Sequence, residues 1–235
     1  MKIRSAFNQM ITIALLLSLS GQTLSATPDP ASQEFLNQYG LRTINVMPAW
    51  SSTTGSGIVV ASLDTGVNTS HFEMAGKIIS VNGGSTIDVD GGGGHGTAIA
   101  SVVAAGFNGA GMIGVAYDSR ILPIGVADSG RFANSNSAAA GINLAASRGD
   151  VRIITLTYGT VFSEPQNSAI VNAMNAGKLM VVRAGNDFQA NPDLPPSVYN
   201  QFNGRGIIVG AVGGGNNLIP MSNKAGAAAN VYMVA

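Results

Sequence analysis

Ile58-Val59-Val60-Ala61-Ser62-Leu63-Asp64-Thr65-Gly66 is an apolar run that breaks off on a carboxylate and a turn. It shows no alternation of polar and apolar residues, so it reads as a strand buried on both faces. Similar runs lie at Ile121–Ala127, Val151–Leu156, Leu179–Ala184 and Ile207–Val212. Helical stretches fall between several of them. One covers Thr97–Ala105 and ends at Gly106. A second covers Ser135–Arg148, with Ser135 as its cap and Gly149 just past its end. A third opens with a capping box, Ser163-Glu164-Pro165-Gln166, and closes at Gly177. Buried strands alternating with helices predict an α/β fold, a doubly wound and mostly parallel sheet with helices on both faces. Reactive residues in such sheets gather at the carboxyl ends of strands. Asp64, Asp128, Thr157 and Asn186 all stand at or just past such ends.

Working outward from Asp64, the next informative stretch is Asp90-Gly91-Gly92-Gly93-Gly94-His95-Gly96-Thr97, a glycine-dense loop that delivers a histidine to the start of an apolar helix. A buried carboxylate can accept the Nδ1 proton of a histidine, fix its tautomer and stabilise the imidazolium formed during nucleophilic catalysis. The helix N-terminus disfavours positive charge, so His95 is expected to rest neutral. The other histidine, His71, reads as structural. Two other motifs compete. Gly91-x-Gly93-x-x-Gly96 matches a dinucleotide-binding fingerprint in form, but the segment before it carries Asp88 and Asp90, which would repel a pyrophosphate. Asp64-Thr65-Gly66 with Asp128-Ser129-Gly130 could supply an aspartic-protease dyad, but that class is nearly all β.

Composition bounds the function. The chain has 235 residues, 46% of them hydrophobic, with 31 glycines and no cysteine. One domain with a short appendage is expected. The absence of cysteine excludes disulfides, thiolate metal sites and a cysteine nucleophile. Charged residues make up 10% and the net charge is zero, so no basic field speaks for nucleic acid. Lys2 and Arg4, the apolar run Met10–Leu19 and the small residues of Leu24-Ser25-Ala26 predict an export signal over 1–26. Residues 27–54 read as a lead-in segment. Within it a helix is expected over Ser32–Tyr39, capped by Ser32, with Phe35, Leu36 and Tyr39 on one face and Gly40 at its end. Ile44–Trp50 reads as a brace against the domain, with Trp50 as a core anchor.

Asp64-Thr65-Gly66, His95-Gly96-Thr97 and Ala184-Gly185-Asn186 together resemble three of the four signature blocks of the subtilisin-like serine proteases (subtilases, peptidase family S8). The resemblance runs from Gly55 to Ala235, and Phe35–Trp50 is similar to the lead-in of autotransporter serine-protease passengers. It implies a subtilisin-like fold in which Asp64 orients His95, His95 is general base and then general acid, and Asn186 lends its side-chain NH₂ to an oxyanion hole. It also implies that Leu156-Thr157-Tyr158-Gly159 and Gly125-Val126-Ala127-Asp128-Ser129-Gly130 form the two walls between which an extended protein or peptide substrate is held. The sequence departs from the family pattern in three ways. Arg183 stands where the family has a small residue, Thr157 replaces a serine, and the Gly-Thr-Ser block with the nucleophile is absent. Val231–Ala235 resembles the strand that precedes the nucleophile helix, so the chain is expected to end inside the domain, with a membrane-barrel domain possible beyond it. The resemblance admits calcium without pointing to ligand residues. No other cofactor is expected. The location implied is exported: periplasmic, cell-surface or secreted.

Overall fold

A computed structural model describes residues 27–79, 86–90, 94–215 and 217–235. The expected export signal, and Gly91 and Gly93 of the dinucleotide-like motif, lie outside the described residues. Six strands form one parallel sheet: β1 (Val59–Asp64), β2 (Arg120–Gly125), β3 (Val151–Leu156), β4 (Leu179–Arg183), β5 (Gly206–Gly210) and β6 (Tyr232–Val234). The order across the sheet is β2-β1-β3-β4-β5-β6. Register runs from Asp64 opposite Gly125 on one side of β1 to Leu63 opposite Leu156 on the other. The expected strands are all present, with ends shifted by one or two residues, and the tail strand pairs with β5.

The order of strands reverses at β1, and the crossovers follow. Helix α4 (His95–Ala104) lies in the β1-to-β2 connection, where Val60, Ala100, Ala104 and Ile121 share one core. Helices α5 (Ser135–Ser147) and α6 (Gln166–Asn175) cover the other face, where Leu63, Ile142, Ile154, Ile170, Met180 and Ile208 form the main core. Burial of these side chains away from water is the dominant stabilising term, about 1.5–3 kcal/mol for each large residue. A crevice at the carboxyl ends beside a strand-order reversal is where α/β sheets place their ligands. Asp64 ends β1 at that point.

Local signals account for most helix ends and miss some. Asn134, not Ser135, caps α5: its Oδ1 accepts from Ser137 N at 2.9 Å. Ser135 Oγ instead accepts from Gln166 N and donates to Ser163 O, which ties the starts of α5 and α6 together. The expected capping box at Ser163 does not form; Glu164 accepts from Ser168 N and Oγ. Gly177 does close α6, with φ of +84°.

The lead-in differs most from expectation. Ser32 caps α1 (Gln33–Leu36), but the helix stops there. A second one, α2 (Tyr39–Thr43), runs through Gly40. Phe35 is buried while Leu36 and Tyr39 are exposed, so the three do not share a buried face. After α3 (Met47–Trp50), Trp50 is sealed in a cluster with Phe35, Leu41, Val46, Ile113 and Tyr117, and its Nε1 donates to Val115 O at 2.8 Å.

Candidate active site

Asp64 is wholly buried at the end of β1. A carboxylate there is tolerable only when its oxygens are bonded. Oδ1 accepts from Thr65 N at 2.7 Å and lies 2.7 Å from His95 Nδ1; Oδ2 accepts from Thr157 Oγ1 at 2.5 Å. Burial pushes the carboxyl up, but the bonds from His95, Thr157 and Thr65 outweigh it and hold Asp64 below its ordinary value. A carboxylate can only accept, so Nδ1 of His95 carries the proton and Nε2 is left to exchange one with a hydroxyl.

His95 is the first residue of α4. The hydrogen bond to Asp64 raises its pKa above 6.5, against burial and the charge of Arg131, which lower it. One bonded carboxylate at 2.7 Å outweighs a terminal dipole of about half a charge. Close backbone approach fixes the register of the two motifs. A Cβ on Gly96 would lie 2.0 Å from Gly66 O, so only glycine fits there.

Asp88 is the hub that sequence reading missed. Its Oδ1 accepts from Thr65 Oγ1 at 2.6 Å, and its Oδ2 accepts from Thr97 N and Thr97 Oγ1 at 2.8 and 2.7 Å. The threonines of Asp-Thr-Gly and His-Gly-Thr therefore converge on one carboxylate, and their recurrence in both motifs was the available signal. Asp90 Oδ2 accepts from His95 N and Arg131 Nε at 3.1 and 3.0 Å, which joins the histidine loop to the chain after β2.

Asn186 is exposed, three residues past β4. Its loop is held from behind by Asn223, which is fully buried. Asn223 Oδ1 accepts from Asp187 N and Gln189 N, and Nδ2 donates to Asp193 Oδ1 at 2.7 Å. Nothing in the local sequence around Asn223 announces this, because its partners lie thirty or more residues away.

The chain just past the expected wall over 125–130 reaches the end of the other wall, at Gly159. Val126 N and Ala127 N both donate to Asp64 O. Asp128 does not face Asp64 as half of an acid dyad; its Oδ1 accepts from Gly130 N and Phe132 N in a tight turn through Ser129. The chain then crosses to Gly159, whose N donates to Arg131 O and whose O accepts from Ala133 N. The main-chain groups of Gly159 are thus paired internally, while Thr157 Oγ1 serves Asp64 rather than lining a wall. Leu156 and Tyr158 are buried, with Tyr158 O accepting from Arg183 Nε at 2.6 Å. A cleft of about 600 Å³ lies along Gly125, Val126, Ala127, Asp128 and Phe132. A second, of about 320 Å³, runs from Ile99 and Val103 on α4 across Thr155, Val181 and Val209 to Thr157 and Asn186.

Calcium asks for six to eight oxygen ligands. Among the described residues no three His, Asp or Glu side chains form such a group. Two further carboxylates, Glu34 and Glu73, are buried near one another. Oε1 of Glu34 accepts from Asn108 N and Ala110 N, and Oε1 of Glu73 accepts from Met112 N. Their Oε2 atoms have no partner. Amide donors turned onto two carboxylates do not fit a calcium cage, so no step is derived through a metal.

A model of the subtilase family matches residues 55–235. Thermitase of Thermoactinomyces vulgaris is 36% identical over 169 residues, covering 69% of this chain and 60% of that protein. Fervidolysin of Fervidobacterium pennivorans is 31% identical over 194 residues, covering 75% of this chain and 27% of that protein. The structure of sphericase superposes with a TM-score of 0.60 at 27% identity, covering 73% of this chain and 60% of that one. The chain thus spans 60% or less of the length of these relatives. Its sheet, its aspartate–histidine pair and this match over most of its length place the chain in the subtilase family.

Proposed function

We propose that this chain is the front part of an exported serine endopeptidase, in which 27–54 is a lead-in and 55–235 the larger part of the peptidase domain. The observation that carries this reading is the 2.7 Å bond between His95 Nδ1 and the buried Asp64. It leaves Nε2 as general base toward a serine and then as general acid toward the leaving amine. Asn186 supplies an oxyanion donor from a loop fixed by Asn223. The serine comes from a segment beyond Ala235, whose helix fills the cleft between α4 and the sheet. The apolar walls of that cleft support this reading, as does its position beside Thr157 and Asn186.

Substrates are proteins or peptides in extended form, bound along 125–130 and 156–159, with no nucleic acid. Export is supported by the charged and then apolar N-terminus. A membrane-barrel domain further along the chain, as in autotransporters, belongs to the same proposal. A second reading rests on the missing Gly-Thr-Ser block: a peptide-binding module that does not acylate.

A fluorophosphonate probe separates the two. The 235-residue chain stays unlabelled. The product of the full reading frame is labelled, and His95→Ala abolishes the label. Labelling of the 235-residue chain overturns the placement of the serine beyond Ala235, and no label on the full product sinks the endopeptidase reading.

A further inference from the structure

We infer that Arg183 determines specificity in the gap between the Leu156–Gly159 segment and the Asn186 loop, and that it selects peptides whose residue before the cleaved bond carries an acceptor side chain, a carboxylate or a primary amide. This rests on the peptidase reading above. Under that reading Asn186 marks the carbonyl of that residue, and Leu156–Gly159 is the strand its main chain meets. A side chain on a residue held at both places projects between the two segments. Arg183 occupies that interval. It ends β4, and its Nε donates to Tyr158 O at 2.6 Å, which lays the guanidinium against the backbone of the strand segment. Nη1 donates to Asp193 Oδ2 at 2.5 Å.

The balance of donors and acceptors then decides the chemistry. Both oxygens of Asp193 have partners, Arg183 on Oδ2 and Asn223 Nδ2 on Oδ1. A guanidinium offers five N–H groups, of which the two bonds above use two. The other three have no partner among the described residues, and the side chain keeps 21% of its surface exposed, so it is within reach of a ligand. Arg183 therefore presents spare donors there, and Asp193 no spare oxygen. A carboxylate or amide oxygen gains charge-assisted bonds there. A lysine side chain meets a cation beside a carboxylate already in use. A large aromatic ring must displace the ion pair. The pair is held firmly: a Cβ on Gly185 would lie 2.5 Å from Asp193 Oδ2, and the buried Asn223 fixes Asp193 from the other side.

The test is fluorescence anisotropy of the 235-residue chain with labelled hexapeptide acids that differ only in their last residue: Glu, Gln, Ala, Phe or Lys. Glu- and Gln-ended peptides bind at least about tenfold tighter than Phe- and Lys-ended ones, as a new charge-assisted bond demands. Arg183→Met collapses that ratio to near one. Asp193→Asn frees the guanidinium and widens the Glu preference, a gain that a misfolded variant cannot produce. Tighter binding of the Phe or Lys peptide, or a ratio that survives Arg183→Met, overturns the assignment and leaves the groove standing. Failure of all five peptides to bind overturns the groove reading, and this inference with it.

Discussion

Asp64 and His95 titrate as a pair, and the signs differ. The Asp64 pKa is lowered, so its contribution to stability is present above the ordinary aspartate value and is lost as pH falls through the folded value. The His95 pKa is raised, so its contribution is full below 6.5 and is lost as pH rises through the folded value. The pair stabilises most between those limits. In an NMR titration the His95 imidazole has its midpoint above 6.5, and in Asp64→Asn it moves down. An unmoved midpoint would show that the bond does not control the base. Thr157→Val leaves Asp64 Oδ2 without its donor and costs about 1–3 kcal/mol in chemical denaturation, while Thr157→Ser restores it. Asp64 and His95 were legible in sequence because each sits in a compact motif at an element end. The role of Thr157 was not. Its partner is 93 residues away, so the same residue read as part of a substrate wall.

At the scale of elements, apolar runs placed β1 to β5, because a buried parallel strand has few polar positions to blur its pattern, while the partly exposed β6 came only from the resemblance. The ends were less legible. Strand ends depend on the neighbour's hydrogen bonds, and helix caps on which of two adjacent polar residues turns inward. Asn134 and Ser135 show this: both can cap, and the start of α6 claims the serine. Asn134→Ala therefore lowers stability by about 1 kcal/mol, measured as a fall in the thermal midpoint. Ser135→Ala weakens the junction of α5 with α6 while leaving the α5 cap in place. The lead-in was misread for a related reason. Gly40 stops a helix in isolation, but burial of Leu41 and the bond from Gln38 Nε2 to Ile113 O carry the chain into another turn.

For the whole molecule, the lead-in is fastened by an aromatic cluster, by the Glu34 carboxylate and by bonds from Gln38 and Thr54. Trp50 meets Phe35 and Tyr117 edge to face at 6.1 and 5.4 Å. Trp50→Ala costs about 3–5 kcal/mol, seen in urea unfolding, and frees the lead-in for proteolysis. Glu34 and Glu73 fasten the loop over 108–112 through backbone amides. Burial, together with the nearby Glu34, raises the Glu73 carboxyl.

All five strand pairings are parallel, and none joins its partner through a hairpin. Each needs a long excursion of chain to close before it gains any contact, which makes folding slow. The strand edges stay unpaired meanwhile and are open to pairing with other chains, so dilution during refolding raises the yield of native protein.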